Sequence, residues 1–230
     1  YPICEGNIMV SNPFWCKTVN EYKNETARWI EAPGIQNYMD LAIFFDSFAV
    51  AGNKELLINL KDNLFNKLHD KDVFMAYFAK ATLAFDTPNT VTNIMTKSHI
   101  IDIKKTAVFP IVQGIRSLAL KEKIRETTTI KRIKILENRK VLEKDKAAEL
   151  LEAFDFVNTI RLKSQLFDIQ HGKKITNEID THTLGKIERD LLKDSFKIIN
   201  EFKRFISYTF RIDRISWYLI LYLKIGIKKN

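Results

Sequence analysis

The sequence predicts a mostly α protein centred on an antiparallel helical bundle, and three observations carry that reading. Only 7 Gly and 5 Pro occur among 230 residues, too few for the many tight turns of an all-β chain. Apolar residues recur every three or four positions through two long segments, 144–171 and 185–212. The connections between the expected helices are short, as they are between antiparallel neighbours.

Taken in order, 13–31 reads as a first helix, with Asn12 as cap, Pro13 in the first turn and Pro33-Gly34 as the stop. The run Leu41 to Val50 is short and aromatic, bounded by Pro-Gly before and Ala51-Gly52-Asn53 after. It reads as a buried strand, with a helix as the competing assignment. Two helices follow at 54–69 and 71–85, and Thr87-Pro88-Asn89 breaks the pattern. The stretch 97–105 is irregular, and helices are then expected over 106–121, 127–139, 144–171 and 185–212.

In the third of these, Ala147, Leu150, Leu151, Phe154, Val157, Ile160 and Leu162 gather on one face. In the fourth, Ile187, Leu191, Ile198, Phe202, Phe205 and Thr209 form a stripe flanked by Leu192, Ile199 and Ile206. Gly172 after His171 suits a left-handed helix end. Thr127-Thr128-Thr129 reads as an N-cap. The tail from Ile215 to Ile227 is apolar and ends in Lys228-Lys229-Asn230; it is too short to span a bilayer, and it is expected to pack on the bundle or on a second copy in a homodimer.

A hydrophobic fraction of 46% with 28% charged residues places the chain among globular rather than disordered proteins. Two cysteines, Cys4 and Cys16, are too few for a disulfide framework, so reduced thiols, buried as small hydrophobes in a cytoplasmic protein, are expected. The four histidines, His69, His99, His171 and His182, lack zinc-ligand spacing. The chain opens on Tyr1 without a signal pattern and reads as beginning partway through a longer protein.

Charge is uneven: residues 1–98 carry 9 Lys/Arg against 11 Asp/Glu, whereas 99–230 carry 28 against 17. The resulting +11 of the second part suits an anionic partner such as nucleotide phosphates, nucleic acid or an acidic protein. No helix-turn-helix or other nucleic-acid reader is evident, so nucleic acid is not the expected partner.

Several stretches carry a family resemblance. The opening Tyr1-Pro2-Ile3-Cys4-Glu5-Gly6-Asn7-Ile8-Met9-Val10-Ser11-Asn12-Pro13-Phe14-Trp15 resembles a G-Y-P-x-C-x-G-x-V-M-A-x-N-P-x-W segment. Ile43-Phe44-Phe45-Asp46 matches an I-F-F-D strand. Asp102 and Lys104, then Pro110-Ile111-Val112, Arg116 and Ala119-Leu120, follow a D-x-K…P-[IL]-V-x-x-x-R-x-x-A-L pattern, and Arg161-Leu162-Lys163-Ser164-Gln165-Leu166 follows R-L-x-x-Q-L. Together they resemble a bacterial family of nucleotidyltransferases found downstream of cyclic-nucleotide-binding and CBS sensor domains, with a C-terminal substrate-binding domain.

That resemblance implies a catalytic domain similar to those of P-II protein uridylyltransferase and glutamine synthetase adenylyltransferase. There a Gly-Ser turn followed by Asp-x-Asp holds Mg²⁺, and a third carboxylate completes the site. This sequence contains no Asp-x-Asp after a Gly-Ser turn, so the chain alone is expected to lack the catalytic centre. The division implied is 1–95 as the end of the nucleotidyltransferase domain plus a helical connection, 96–212 as the substrate-binding bundle, and 213–230 as a tail.

By the same resemblance Asp46 is the third metal carboxylate, although Phe48 and Asn53 stand where the family pattern has Arg and Asp. Asp102, Lys104, Lys105 and Arg116 are candidates for gripping phosphate near a helix start, or Asp102 and Arg116 form a structural pair. Arg161 and Gln165, one turn apart, either line a pocket or satisfy each other and nearby carbonyls. The function implied is binding of a nucleoside triphosphate and of a protein or small-molecule acceptor in a signal-regulated uridylyl- or adenylyltransferase, with Mg²⁺ bound in the complete enzyme only. The rival is a helical interaction module that no nucleotide touches.

Overall fold

The computed structural model describes residues 8–9, 12–32, 34–88 and 99–214. Cys4 and the tail from residue 215 lie outside them. The chain divides into two compact units, Tyr1–Phe74 and Met75–Asn230. Mostly helical throughout, it bears out the expected fold class.

In the first unit, Asn12 caps only a 3₁₀ turn, Pro13–Trp15, by accepting from Phe14 N at 3.0 Å. The first α-helix, α1, spans Val19–Glu31. Its start is fixed by a capping box: Thr18 Oγ1 accepts from Glu21 N, and the Glu21 carboxylate accepts from Thr18 N at 2.7 Å. That hydrogen bond from the Thr18 backbone holds the Glu21 carboxyl below the usual carboxylate range. Cys16, expected to be buried, is exposed, because it sits in the short link between the 3₁₀ turn and the box.

The strand expected within 41–50 is instead helix α2, Ile35–Phe45. Its buried residues Leu41, Phe44 and Phe45 fall at helical spacing. Asp40 is buried one turn from Gln36, which donates to it at 2.8 Å. A short apolar run fits either structure, and the residues upstream of it extend the helical face here. α1 packs on α2 and on α3, Lys54–Lys67. Trp29 is fully buried and lies 6.1 Å from Phe44, which also stacks on Tyr22 at 5.4 Å. Helix α4, Asp72–Lys80, begins in this unit and runs into the next.

The second unit is the bundle. Strand β1, Ile100–Asp102, leads into a π-helical turn, Lys104–Val108, and helix α5, Phe109–Lys121. Helices α6, Thr129–Asn138, and α7, Lys144–Gln170, follow. Strand β2, Glu178–Asp180, pairs antiparallel with β1 in the register Ile100↔Asp180, Ile101↔Ile179, Asp102↔Glu178. The last helix, α8, is Lys186–Thr209. Neither three-residue strand was foreseen; each has the burial pattern of a single inward residue, Ile101 or Ile179.

α5 packs on α6 and α8, α6 on α7, and α7 on α8, which closes a ring of four helices. The pair α7–α8 is antiparallel, because Lys146 near the start of α7 meets Glu201 toward the end of α8, while Lys163 meets Glu188 at the opposite end. Gly172, with φ +63°, ends α7: its N–H bonds Ile169 O, and Lys173 N bonds Asp168 O at 2.8 Å, a six-to-one closure.

Two details correct the sequence reading. The buried stripe of α8 is Leu192, Ser195, Phe196, Ile199, Phe202 and Ile206, whereas Ile187 and Leu191 are exposed. The Thr127–Thr129 run does not cap α6 through a hydroxyl; the Glu126 carboxylate accepts from Thr127 N and Thr128 N at 2.7 and 3.0 Å.

Candidate functional site

Apart from Arg116, the residues singled out in the second unit lie around a junction where β1, the π turn and α7 meet. Its hub is Asn177, just ahead of β2. Asn177 O accepts from Ile103 N at 2.9 Å, which fixes the exit of β1. Asn177 Oδ1 accepts from Arg161 Nε at 2.8 Å and lies 3.5 Å from Gln165 Nε2. Gln165 Nε2 also donates to Thr176 O at 3.1 Å, and Ser164 Oγ donates to Glu178 O at 3.1 Å. One turn of α7 thus grips the strand β2 and its approach.

On the other side of the hub, Asp102 caps the helical turn. Its Oδ1 accepts from Lys105 N at 3.0 Å, its Oδ2 pairs with Lys105 Nζ at 3.3 Å, and its carbonyl accepts from Thr106 Oγ1 at 2.8 Å. Lys104 and Lys105 are both exposed at this helix start. Arg161 is half-buried and spends only Nε on the hub; no described residue takes up its Nη1 and Nη2 groups. A guanidinium anchored on one edge and open on the other can take an anionic oxygen pair, and Lys104 follows Ile103, whose N–H bonds the same Asn177.

Two candidates lie elsewhere. Arg116 donates from Nη1 to Gln113 Oε1, and Gln113 Nε2 donates to Phe78 O at 3.0 Å, so this pair ties α5 to α4. Asp46 belongs to the first unit, half-buried at the C-cap of α2, with its N–H on Ala42 O at 3.1 Å. Next to it, the buried Lys61 donates to Ser47 O at 2.7 Å. Among the described residues, no group of three or more His, Cys, Asp or Glu side chains could hold a metal ion. Mg²⁺ takes several oxygen ligands in fixed geometry, so the described residues do not by themselves fit a complete Mg²⁺ site.

Sequence reasoning missed Asn177, which lies in a polar stretch with no distinguishing pattern. It also missed Lys203, a partly buried lysine on α8 whose Nζ donates to Phe85 O at 2.8 Å. Burial lowers its pKa, against a smaller opposing influence of Asp86. A concavity of about 440 Å³ lies at the other end of the α7–α8 pair, and no residue predicted as functional lines it. None of the helices in the described residues is long and apolar enough to cross a membrane.

Comparison with known families follows this architecture. Residues 72–210 match the family described as "Putative nucleotidyltransferase substrate binding domain", and residues 1–36 match "Putative nucleotidyltransferase DUF294". No curated protein and no solved structure matches the chain. The first match covers more than half of the sequence and takes in α4 through α8. The chain therefore belongs to the nucleotidyltransferase substrate-binding family.

Proposed function

We propose that, as a member of that family, this chain binds a nucleoside triphosphate for a uridylyl- or adenylyltransferase and holds it for transfer to a protein or small-molecule acceptor. The observation that supports the reading is Arg161. Its guanidinium is held through Nε by Asn177, whose carbonyl also accepts from Ile103 N, one residue before Lys104. Such a fork suits a phosphate oxygen pair, and pre-anchoring lowers the entropy lost on binding. The unit would contribute orientation rather than bond-making, which is a large part of the barrier reduction available to a two-substrate reaction.

In this reading Asp46 supplies one carboxylate toward Mg²⁺ in the complete enzyme, and the remaining ligands come from outside the described residues. Upstream cyclic-nucleotide-binding and CBS domains would set the response to a signal, in a cytoplasmic bacterial protein.

Thermal unfolding of the 230-residue chain with ATP, UTP, GTP and CTP, each with and without Mg²⁺, tests the proposal. A nucleotide at about 100 times its dissociation constant stabilises by roughly 2.7 kcal/mol. For a chain of this size that is a rise of about 5–10 °C. Selective stabilisation by one nucleotide, lost in Lys104→Ala, is the expected result. Absence of any shift with all four refutes nucleotide binding by this chain and favours a helical docking module.

A further inference from the structure

Helix α8 carries more apolar surface than the bundle buries. Leu192, Phe196, Ile199, Phe202 and Ile206 form its core face. On the neighbouring face Ile198 and Phe205 are only half-buried, and Tyr208, one turn beyond Phe205, is 85% exposed. Ile198 and Phe205 also line the cavity of about 440 Å³ between the α6–α7 connection, the first turns of α7 and the second half of α8. The rest of its apolar lining includes the buried Leu142, Leu150 and Phe202. A row of large apolar side chains leading into an apolar concavity calls for a cover.

The described chain stops at Arg214 on the same side of the bundle. Lys121, the last residue of α5, holds its Nζ 5.3 Å from the centre of the Phe210 ring. Arg139, next to the cavity residue Lys140, donates from Nη1 to Glu122 O at 2.5 Å. The ends of α5, α6 and α8 therefore gather beside the cavity. After Arg214 the sequence continues Ile215-Ser216-Trp217-Tyr218-Leu219-Ile220-Leu221-Tyr222-Leu223, with no charged residue and no Pro or Gly. Phe205 and Ile198 precede the α8 terminus Thr209 by four and eleven residues, about 6 and 16 Å along the axis. Trp217 and Leu223 follow Arg214 by three and nine residues, a reach of up to about 10 and 30 Å. The segment is long enough to double back over both.

We propose that the segment 217–223 of the same chain lies across the mouth of this cavity and closes it, running back along α8 from Tyr208 past Phe205 toward Ile198. The tether favours this occupant over a second copy. A segment joined a few residues away at Arg214 is present at an effective concentration on the order of millimolar, which a second chain at micromolar concentration does not match. The proposal does not depend on the nucleotide reading, because Arg161 and Asn177 lie at the other end of α7, and failure of either leaves the other standing.

Photo-crosslinking of the 230-residue chain tests it, with p-benzoylphenylalanine in place of Trp217 in one protein and of Tyr218 in a second. After irradiation at micromolar concentration, the adducts are sized on a denaturing gel and mapped by mass spectrometry. The expected result is a monomer-sized product joined to residues 140–150 or 198–208. Phe205→Asp puts a carboxylate where the segment must seat and should lower that yield at least about fivefold, the effect of one desolvated and unpaired charge. Should this variant fail to fold, the adduct map from the unsubstituted helix carries the test. Adducts on other surfaces, a mainly dimer-sized product (a second copy's tail as the occupant), no protein adduct from either position, or an undiminished yield in Phe205→Asp overturns the proposal.

Discussion

Gly114 sets how closely α5 can approach α8. A Cβ built there would overlap Phe202 Cε1, lie 2.8 Å from Phe202 Cζ and 3.1 Å from Ile206 Cγ1. In an open helix Gly→Ala gains about 1 kcal/mol through backbone entropy. At Gly114 the added methyl must displace a buried ring, and overpacking of this kind costs about 1–3 kcal/mol. Phe202 also lines the cavity, so its ring has somewhere to go and the cost belongs near the middle of that range. Gly114→Ala should therefore destabilise by about 1 kcal/mol net, a fall of about 2–4 °C in melting temperature. Phe202→Leu alone removes packed ring atoms and should also destabilise. In the double variant the Ala methyl occupies part of the vacated space, so the combined loss should fall short of the sum by about 1 kcal/mol. Urea unfolding of the four proteins reads this coupling directly. Losses that add to within about 0.5 kcal/mol would refute the close-approach argument.

Other perturbations test the remaining joints. Asn177→Ala removes the acceptor of Arg161 and Gln165 and should cost about 1.5–3 kcal/mol in urea unfolding, with the Arg161→Met effect largely lost in that background. Lys203 has a depressed pKa in the fold, so between that value and its unfolded value of 10.5 the unfolded chain binds more protons. Stability should gain from this residue as pH rises through that window, and Lys203→Met should remove the contribution from the pH dependence of the urea midpoint. Lys140 adopts φ +60° at the end of α6, where Val141 N closes onto Leu136 O at 2.9 Å, the position that favours glycine. Lys140→Gly should stabilise by up to about 1 kcal/mol, measured by thermal melting.

Legibility in the sequence followed the range of the interactions. The long helices α7 and α8 were plain, because their apolar periodicity and the Gly172 stop are local signals. Which face of α8 is buried was less so: Ile187 and Leu191 fit the stripe as well as Leu192 and Phe196 do, and only packing against α5 and α7 decides between them. The run Leu41 to Val50 reads as a strand because apolar residues are dense there; a helix buried on one side and half-exposed on the other absorbs the same density up to Phe45. β1 and β2 are three residues each and exist through pairing across about 80 residues of chain, which no local pattern encodes. Arg161 and Gln165 are legible as polar residues in apolar company, yet their common partner Asn177 is not.

The long helix α7 also separates two charged ends of the bundle. Lys146 and Arg161 lie fifteen residues from each other on it, about 22 Å along the axis. At one end, Arg161 with Lys104 and Lys105 presents positive charge around a hydrogen-bonded hub. At the other, Glu143, Glu149 and Glu201 stand with Lys140 and Lys146 around an apolar floor. The antiparallel pairing of α7 with α8, pinned by Lys146–Glu201 and Lys163–Glu188, fixes that separation rigidly.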